Sequence, residues 1–109
     1  MLWDGARFVY YLTPTGWAPA ESAEKAVRMV CRRAHILKRG DVHITVTGYG
    51  RNIFEADRRV TEITCHAAGA RRLAPEATTV LDIGGQDSKV IRIDENGKVL
   101  DFLMNDKCA

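Results

Sequence analysis

The chain has 109 residues, of which 46% are hydrophobic and 28% charged, a composition that excludes a disordered tail, a collagen-like repeat and a multidomain assembly. Its formal charge is only +2 and its basic residues occur at most in pairs, so we expect no nucleic-acid partner. No apolar stretch approaches the roughly 18 residues of a membrane span, and no signal peptide is visible, so we expect a cytoplasmic protein without a membrane partner.

The first part of the chain is predicted to alternate short strands with helices. Asp4-Gly5 is typical of a hairpin turn and precedes a strand over residues 8–12, but only three residues precede the turn. We therefore expect the chain to begin inside a hairpin. Pro19 opens a helix that residues 38–41 end, and Cys31 lies on its apolar face, where we expect it to fill the core. A short strand follows over residues 42–47.

A second helix is predicted over residues 52–73, because apolar residues recur there at helical spacing and Pro75 ends the pattern. Glu62 and His66 stand four residues apart on one face of this helix. The pair is typical either of a metal or acid and base site, or of an ordinary solvent-facing contact. Cys65 is expected in the core. The arginine pairs are expected on solvated helix faces or on a partner-docking surface; they are Arg32-Arg33, Arg58-Arg59 and Arg71-Arg72.

The last third is predicted to be β-structure, with strands over residues 79–83, 89–93 and 98–104 and an Asn96-Gly97 turn between the last two. The fold class is therefore α/β. Asn105-Asp106 offers a helix N-cap, but only three residues follow it. We expect the chain to be a piece of a larger protein, truncated at both ends.

Candidate chemistry is concentrated in the segment 82–89, where a strand ends in Asp82 and is followed by Gly84-Gly85. Glycines at a strand-to-strand turn let backbone N–H groups face an anion, which is typical of a phosphate site. Asp82 is a candidate to hold Mg²⁺ through water. The polar partners at the mouth of this site would be Gln86, Asp87 and Lys89. The competing interpretation is an ordinary hairpin with a Gly-Gly turn.

Cys108 is the second candidate, because it stands beside Lys107 near a predicted helix start, which favours a nucleophile or a metal ligand. One thiolate does not hold a metal, so a cluster would need ligands from outside this chain. A buried structural cysteine is the alternative.

Four motifs of this chain, taken together and in their order along the sequence, resemble one group of ATPases. The group comprises the activators of 2-hydroxyacyl-CoA dehydratases and the ATP-hydrolysing subunits of benzoyl-CoA reductase (BadF/BadG/BcrA/BcrD type). The resemblance covers nearly the whole chain, and the octet Asp-Ile-Gly-Gly-Gln-Asp-Ser-Lys followed by Asn-Asp-Lys-Cys-Ala is its most specific part. The four motifs span residues 47–51, 61–70, 82–89 and 105–109.

The resemblance implies a ribonuclease H-like lobe of the actin, Hsp70 and sugar kinase superfamily, with residues 1–77 as the remainder of a first lobe and 78–109 as the start of a second. It implies ATP or ADP with Mg²⁺, and a 4Fe-4S cluster shared across a homodimer or a paired homologous subunit. The electron acceptor would be a dehydratase or reductase. By motif, Cys108 would be one cluster ligand, Asp82 and Gln86 catalytic, and the nucleotide-binding residues Gly84, Gly85, Gln86, Asp87 and Lys89.

Even if the resemblance holds, we expect the isolated chain to be inactive. Three other hypotheses for the function of this chain remain open. A sugar-kinase-like or chaperone-like relative would share the glycine turn but would have no use for Cys108. A non-enzymatic binding module would use the arginine pairs and would bind no nucleotide. A ribonuclease H-like nuclease needs several converging acids, and only Asp82 and Asp87 are candidates, so we rank it last.

Overall fold

The computed structural model describes residues 1–105, which fall into two compact units, Met1–Arg59 and a second that begins at Val60. Each unit has its own hydrophobic core. The predicted lobe boundary near residue 77 does not coincide with this division, because the helix before it packs on the strands after it. The assignment of the two segments to two lobes stays a prediction.

The first unit opens with an antiparallel hairpin of β1 (Leu2–Trp3) and β2 (Phe8–Val9). The expectation of a missing partner strand was wrong, since two residues suffice when the loop is fastened from within. Oδ1 of Asp4 accepts hydrogen bonds from the backbone N–H groups of Ala6 and Arg7, both at 2.9 Å. The strand predicted over 8–12 ends early, because the carbonyl of Tyr10 accepts a hydrogen bond from the Arg33 side chain at 2.7 Å.

Helix α1 (Pro19–Arg33) begins as predicted, with the proline at its first turn, but it ends before the predicted stop at residues 38–41, since His35 has a φ of +57°. Its apolar face buries Val30 and Cys31 against Leu2. Cys31 is only 8% exposed, which confirms its place in the core.

The second helix is ten residues shorter than its apolar spacing predicts, because α2 spans Glu62–Leu73. Before it lie a 3-10 helix (Tyr49–Asn52) and β4 (Arg58–Arg59), which pairs in parallel with β3 (Thr45–Val46). Arg59 holds this segment by donating to the backbone carbonyls of Arg51 and Phe54, both at 3.1 Å. The pair Arg58-Arg59 is therefore part of a strand and not of a helix face.

The second unit is a three-stranded antiparallel sheet covered on one face by α2. The strands are β5 (Thr79–Ile83), β6 (Ser88–Ile93) and β7 (Val99–Asn105), in that spatial order. Ala67 of α2 and Ile91 of β6, both 0% exposed, are the centre of the core between helix and sheet. The predicted strand bounds agree with these to within one residue.

The turn between β6 and β7 is the predicted Asn-Gly hairpin. Gly97 has a φ of +77°, and Oδ1 of Asp94 accepts hydrogen bonds from the N–H groups of Asn96 and Lys98. Within the described part of the chain, no helix is long and apolar enough to cross a membrane.

Candidate functional site

The glycine-rich turn joins β5 to β6 and holds the predicted phosphate loop. The N–H of Gly84 donates to the carbonyl of Asp87 at 2.8 Å, which closes the hairpin around Gly85 and Gln86. Among residues 1–105, the N–H groups of Gly85, Gln86 and Asp87 have no hydrogen-bond acceptor. Gly85 and Gln86 are exposed and Asp87 is half-buried, so these three donors at the turn are available to an anion.

The two glycines of the turn serve different physical purposes, and neither has a positive φ. A Cβ added to Gly84 would lie 3.2 Å from both the carbonyl oxygen and Oδ1 of Asp87, closer than side chains normally approach. A Cβ added to Gly85 would meet nothing within 4 Å. Gly84 is therefore required by the turn itself, whereas Gly85 leaves open space beside the free donors.

Asp82 and Lys89 are direct partners in the β5 and β6 ladder, so both side chains lie on the sheet face that α2 covers. Glu62 and His66, one turn apart at the start of α2, meet them there. The pairing of strands and helix thus brings together four charged or titratable side chains that are up to 27 residues apart in the chain.

Within this cluster, Nδ1 of His66 lies 2.6 Å from Oδ2 of Asp82, a short hydrogen bond. Nε2 of the same ring lies 3.8 Å from Oε1 of Glu62. Besides Glu62, the imidazole thus contacts an acid on the neighbouring sheet, while both His66 and Glu62 stay partly exposed to solvent. The signal in the sequence was the spacing of the two residues, but the spacing alone does not identify Asp82 as the partner.

Lys89 lies behind the turn rather than at its mouth, because its side chain is only 3% exposed. Its Nζ is 2.7 Å from Oδ1 of Asp87, 3.5 Å from Oε1 of Glu62 and 3.6 Å from Oδ2 of Asp82. The hydrogen bond that Lys89 donates to Asp87 raises the pKa of Lys89 against the opposing effect of burial, and the three negative charges raise it further. Lys89 is thus a cation already matched to acids of its own chain.

With Asp87 included, the cluster holds three carboxylates against one ammonium, so it is net negative when His66 is neutral. Oδ1 of Asp82 has no hydrogen-bond partner among residues 1–105. A carboxylate oxygen in a net negative cluster beside free N–H donors fits a hydrated Mg²⁺ carried by a phosphate. In the described part of the chain, no three metal-ligating side chains converge as direct ligands of one ion.

The remaining predicted residues fall in three places. Gln86 is exposed at the tip of the turn. Cys65 is half-buried on α2 and is not among the fully buried residues of the core where we expected it. Cys108 lies outside the described residues.

The sequence matches the profile of the BadF/BadG/BcrA/BcrD ATPase family over residues 11–109. It is 53% identical over 75 residues to the 2-hydroxyisocaproyl-CoA dehydratase activator of Clostridioides difficile, covering 67% of this chain and 28% of that protein.

Two solved structures share the fold. The activator of the 2-hydroxyisocaproyl-CoA dehydratase from Clostridium difficile, with bound ADPNP, superposes with a TM-score of 0.63 at 42% identity, over 88% of this chain and 34% of that one. The (R)-2-hydroxyglutaryl-CoA dehydratase component A of Acidaminococcus fermentans gives a TM-score of 0.68 at 44% identity, over 87% and 37%. This chain thus spans 28% to 37% of the length of these relatives.

The profile covers most of the chain, and the same fold is found in activators of CoA dehydratases. The resemblance seen in the sequence motifs is confirmed. The chain belongs to the BadF/BadG/BcrA/BcrD ATPase family.

Proposed function

We propose that the protein carrying this chain hydrolyses ATP to activate a partner enzyme of the 2-hydroxyacyl-CoA dehydratase or benzoyl-CoA reductase type. The observation that carries the proposal is the turn of Gly84 and Gly85, where free N–H donors stand beside Asp82 in a chain of this ATPase family. The nucleotide bound to the Clostridium difficile activator supports it. The proposal includes a ribonuclease H-like lobe of the actin type around this turn.

In the proposed site, the N–H groups of Gly85, Gln86 and Asp87 bind phosphate oxygens, and Asp82 holds Mg²⁺ through water. Gln86, exposed at the tip, orients the water that attacks the terminal phosphate. Lys89 contributes by neutralising the acids around it, since its buried ammonium is occupied by Asp87. Mg²⁺, when bound, would neutralise charge on the phosphates.

The decisive variant is Asp82→Ala, tested in the protein that carries this chain by phosphate release from ATP. We expect hydrolysis to fall at least about tenfold, because the metal loses its anchoring carboxylate. Folding should be retained, since the core residues Ile91 and Ala67 are untouched. Asp101→Ala is the matched control, because Asp101 pairs with Arg92 on the opposite face of the sheet. Equal rates of ATP hydrolysis in the parent and in Asp82→Ala would favour the interpretation of the turn as an ordinary hairpin.

We further propose that Cys108 is one ligand of a 4Fe-4S cluster shared between two subunits, which would supply one-electron transfer to the partner enzyme. Cys31 is packed in the core of the first unit and is not available as a ligand. The family resemblance implies two cysteine ligands per subunit, the second from outside this chain. Two per subunit fill four thiolate positions only across a two-fold axis, so the cluster requires a dimer.

The test is anaerobic iron and sulfide reconstitution of the protein that carries this chain, read by its visible spectrum and by sedimentation. We expect Cys108→Ala to abolish the brown chromophore and weaken the dimer, whereas Cys31→Ala and Cys65→Ala do neither. A 4Fe-4S spectrum that survives Cys108→Ala would place the ligands elsewhere and leave the family fold without this chemistry.

A further inference from the structure

The hydrogen bond between His66 and Asp82 has a fixed direction. An ionised carboxylate only accepts hydrogen bonds, so Nδ1 of His66 carries the proton in the 2.6 Å contact with Oδ2 of Asp82. Glu62, 3.8 Å from Nε2, is on the far side of the ring and beyond hydrogen-bond distance. The imidazole on α2 therefore donates a hydrogen bond to one oxygen of Asp82 on the sheet.

Without the hydrogen bond from His66, Lys89 would compete for the carboxylate of Asp82. Nζ of Lys89 is 3.6 Å from the same Oδ2, and its side chain is 3% exposed, so this ammonium is shielded from water. A shielded cation attracts any mobile carboxylate strongly, because little solvent screens the interaction. Asp82 would be drawn towards Lys89, as Asp87 already is at 2.7 Å.

The hydrogen bond from His66 also determines which carboxylate oxygen of Asp82 is left available to a ligand. With Oδ2 held by His66, the carboxylate of Asp82 has its other oxygen, Oδ1, without a hydrogen-bond partner among residues 1–105. A ligand whose orientation is fixed by a neighbouring hydrogen bond binds its ion with less loss of rotational freedom.

We propose that His66 is a positioning residue, which holds Oδ2 of Asp82 away from Lys89 so that Oδ1 faces the hydrated Mg²⁺ of the nucleotide. The inference rests on the proposed function of Asp82. It assigns to α2 a direct role in the metal site on the neighbouring sheet, through a residue that touches neither phosphate nor ion.

The test compares His66→Leu, which removes the donor, with His66→Asn, whose side-chain amide places an N–H near the position of Nδ1. Each variant is made in the isotope-labelled protein that carries this chain and is titrated with ADPNP in the presence of Mg²⁺ and in the presence of EDTA, and the amide signals of Gly84 and Gly85 are followed by NMR. His43→Leu makes the same substitution in the first unit, at a side chain that is 69% exposed.

We expect Mg²⁺ to tighten ADPNP binding in the parent, and we call the ratio of the affinities with Mg²⁺ and in EDTA the Mg²⁺ gain. His66→Leu should lower this gain about tenfold, while the affinity in EDTA stays unchanged. His66→Asn should restore most of the gain, and His43→Leu should retain all of it. A merely structural role would lower the affinity equally with and without Mg²⁺, or would not be rescued by asparagine.

The outcomes that overturn the inference are separable from those that overturn the proposed function. An unchanged Mg²⁺ gain in His66→Leu, together with its loss in Asp82→Ala, would overturn the role of His66 alone. Absence of any Mg²⁺ gain in the parent would overturn the magnesium role of Asp82, and the inference with it.

Discussion

At the scale of single residues, Gly97 and Gly85, from the two hairpin turns of the second unit, illustrate different constraints. Gly97 has a φ of +77°, and a Cβ there would lie 3.1 Å from both Cβ and Cγ of Arg71. Gly85 has no positive φ and would meet nothing within 4 Å. One glycine is required by the backbone, whereas the other leaves room for a ligand.

We therefore expect Gly97→Ala to lower the free energy of unfolding by roughly 1–2 kcal/mol, the cost of a left-handed conformation for a residue with a Cβ. Gly85→Ala should change it by less than about 0.5 kcal/mol. Urea unfolding followed by far-UV circular dichroism measures both. Equal losses in the two variants would mean that Gly85 also has a structural purpose and would weaken its assignment to a phosphate site.

Asp4 provides a pH-dependent contact in the first hairpin. The N–H groups of Arg7 and Ala6 hold the pKa of its carboxyl below the ordinary value of 3.8. A group whose pKa is lower in the folded state stabilises the fold above 3.8, and this contribution is lost as the pH falls through the lower folded value.

The amide shifts of Ala6 and Arg7 should accordingly titrate together, at a pH below 3.8. Asp4→Asn keeps an acceptor oxygen but removes the charge, so the hairpin should persist and the shared titration should vanish. NMR spectra recorded between about pH 2 and 6 check this, in the range where carboxyl groups titrate. A midpoint above 3.8 in the parent chain would contradict the contact.

At the scale of elements, the start of α2 is decided by one side chain. Oγ1 of Thr61 accepts a hydrogen bond from the N–H of Thr64 at 3.2 Å, which caps the helix directly before Glu62. The cap also fixes where Glu62 and His66 lie, since both stand in the first turns. The functional cluster thus depends on the position at which this helix begins.

We expect Thr61→Ala to cost about 1 kcal/mol, because it leaves a backbone donor of the first turn without its partner. Thr61→Ser keeps the hydroxyl and should cost only a few tenths of that. Amide hydrogen exchange of residues 62–66 gives the local measurement, with faster exchange expected in the alanine variant alone. Unchanged protection in Thr61→Ala would show that packing on the sheet, and not the cap, fixes this end.

At the scale of the whole molecule, the nucleotide site proposed within residues 1–105 consists of one loop, the turn of Gly84 and Gly85. Actin-like nucleotide sites, which the proposed function implies, close two walls on the phosphates. We expect the 109-residue chain to bind ATP in the millimolar range or more weakly, which corresponds to about 4 kcal/mol or less.

Isothermal calorimetry or NMR titration of the chain with Mg·ATP measures this affinity. Sub-micromolar binding would contradict the expectation and would mean that the turn of Gly84 and Gly85 needs no opposing wall. The same titration on Gly84→Ala serves as a control, since its Cβ would lie 3.2 Å from the backbone oxygen of Asp87, so the turn must shift by a few tenths of an ångström.

The sequence by itself determined the elements whose signals are local. Period-two strands, the Asn96-Gly97 turn and the breaker Pro75 fixed the bounds of the sheet to within a residue, because each rests on backbone preferences of a few neighbours. The ordered motifs around Gly84-Gly85 were enough to predict the family. The same local reasoning failed over residues 52–61, where helical spacing was present but the hydrogen bonds of Arg59 and the cap of Thr61 prevailed.

Only the tertiary structure decided the membership of the functional cluster. Asp82 and Lys89 become neighbours through the register of β5 on β6, and His66 reaches them because α2 packs on that face of the sheet. Pairing between residues so far apart depends on the burial of Ala67 and Ile91, a property of the assembled core that no short segment encodes. That is why the sequence placed Lys89 at the mouth of the site, whereas the folded chain buries it behind three carboxylates.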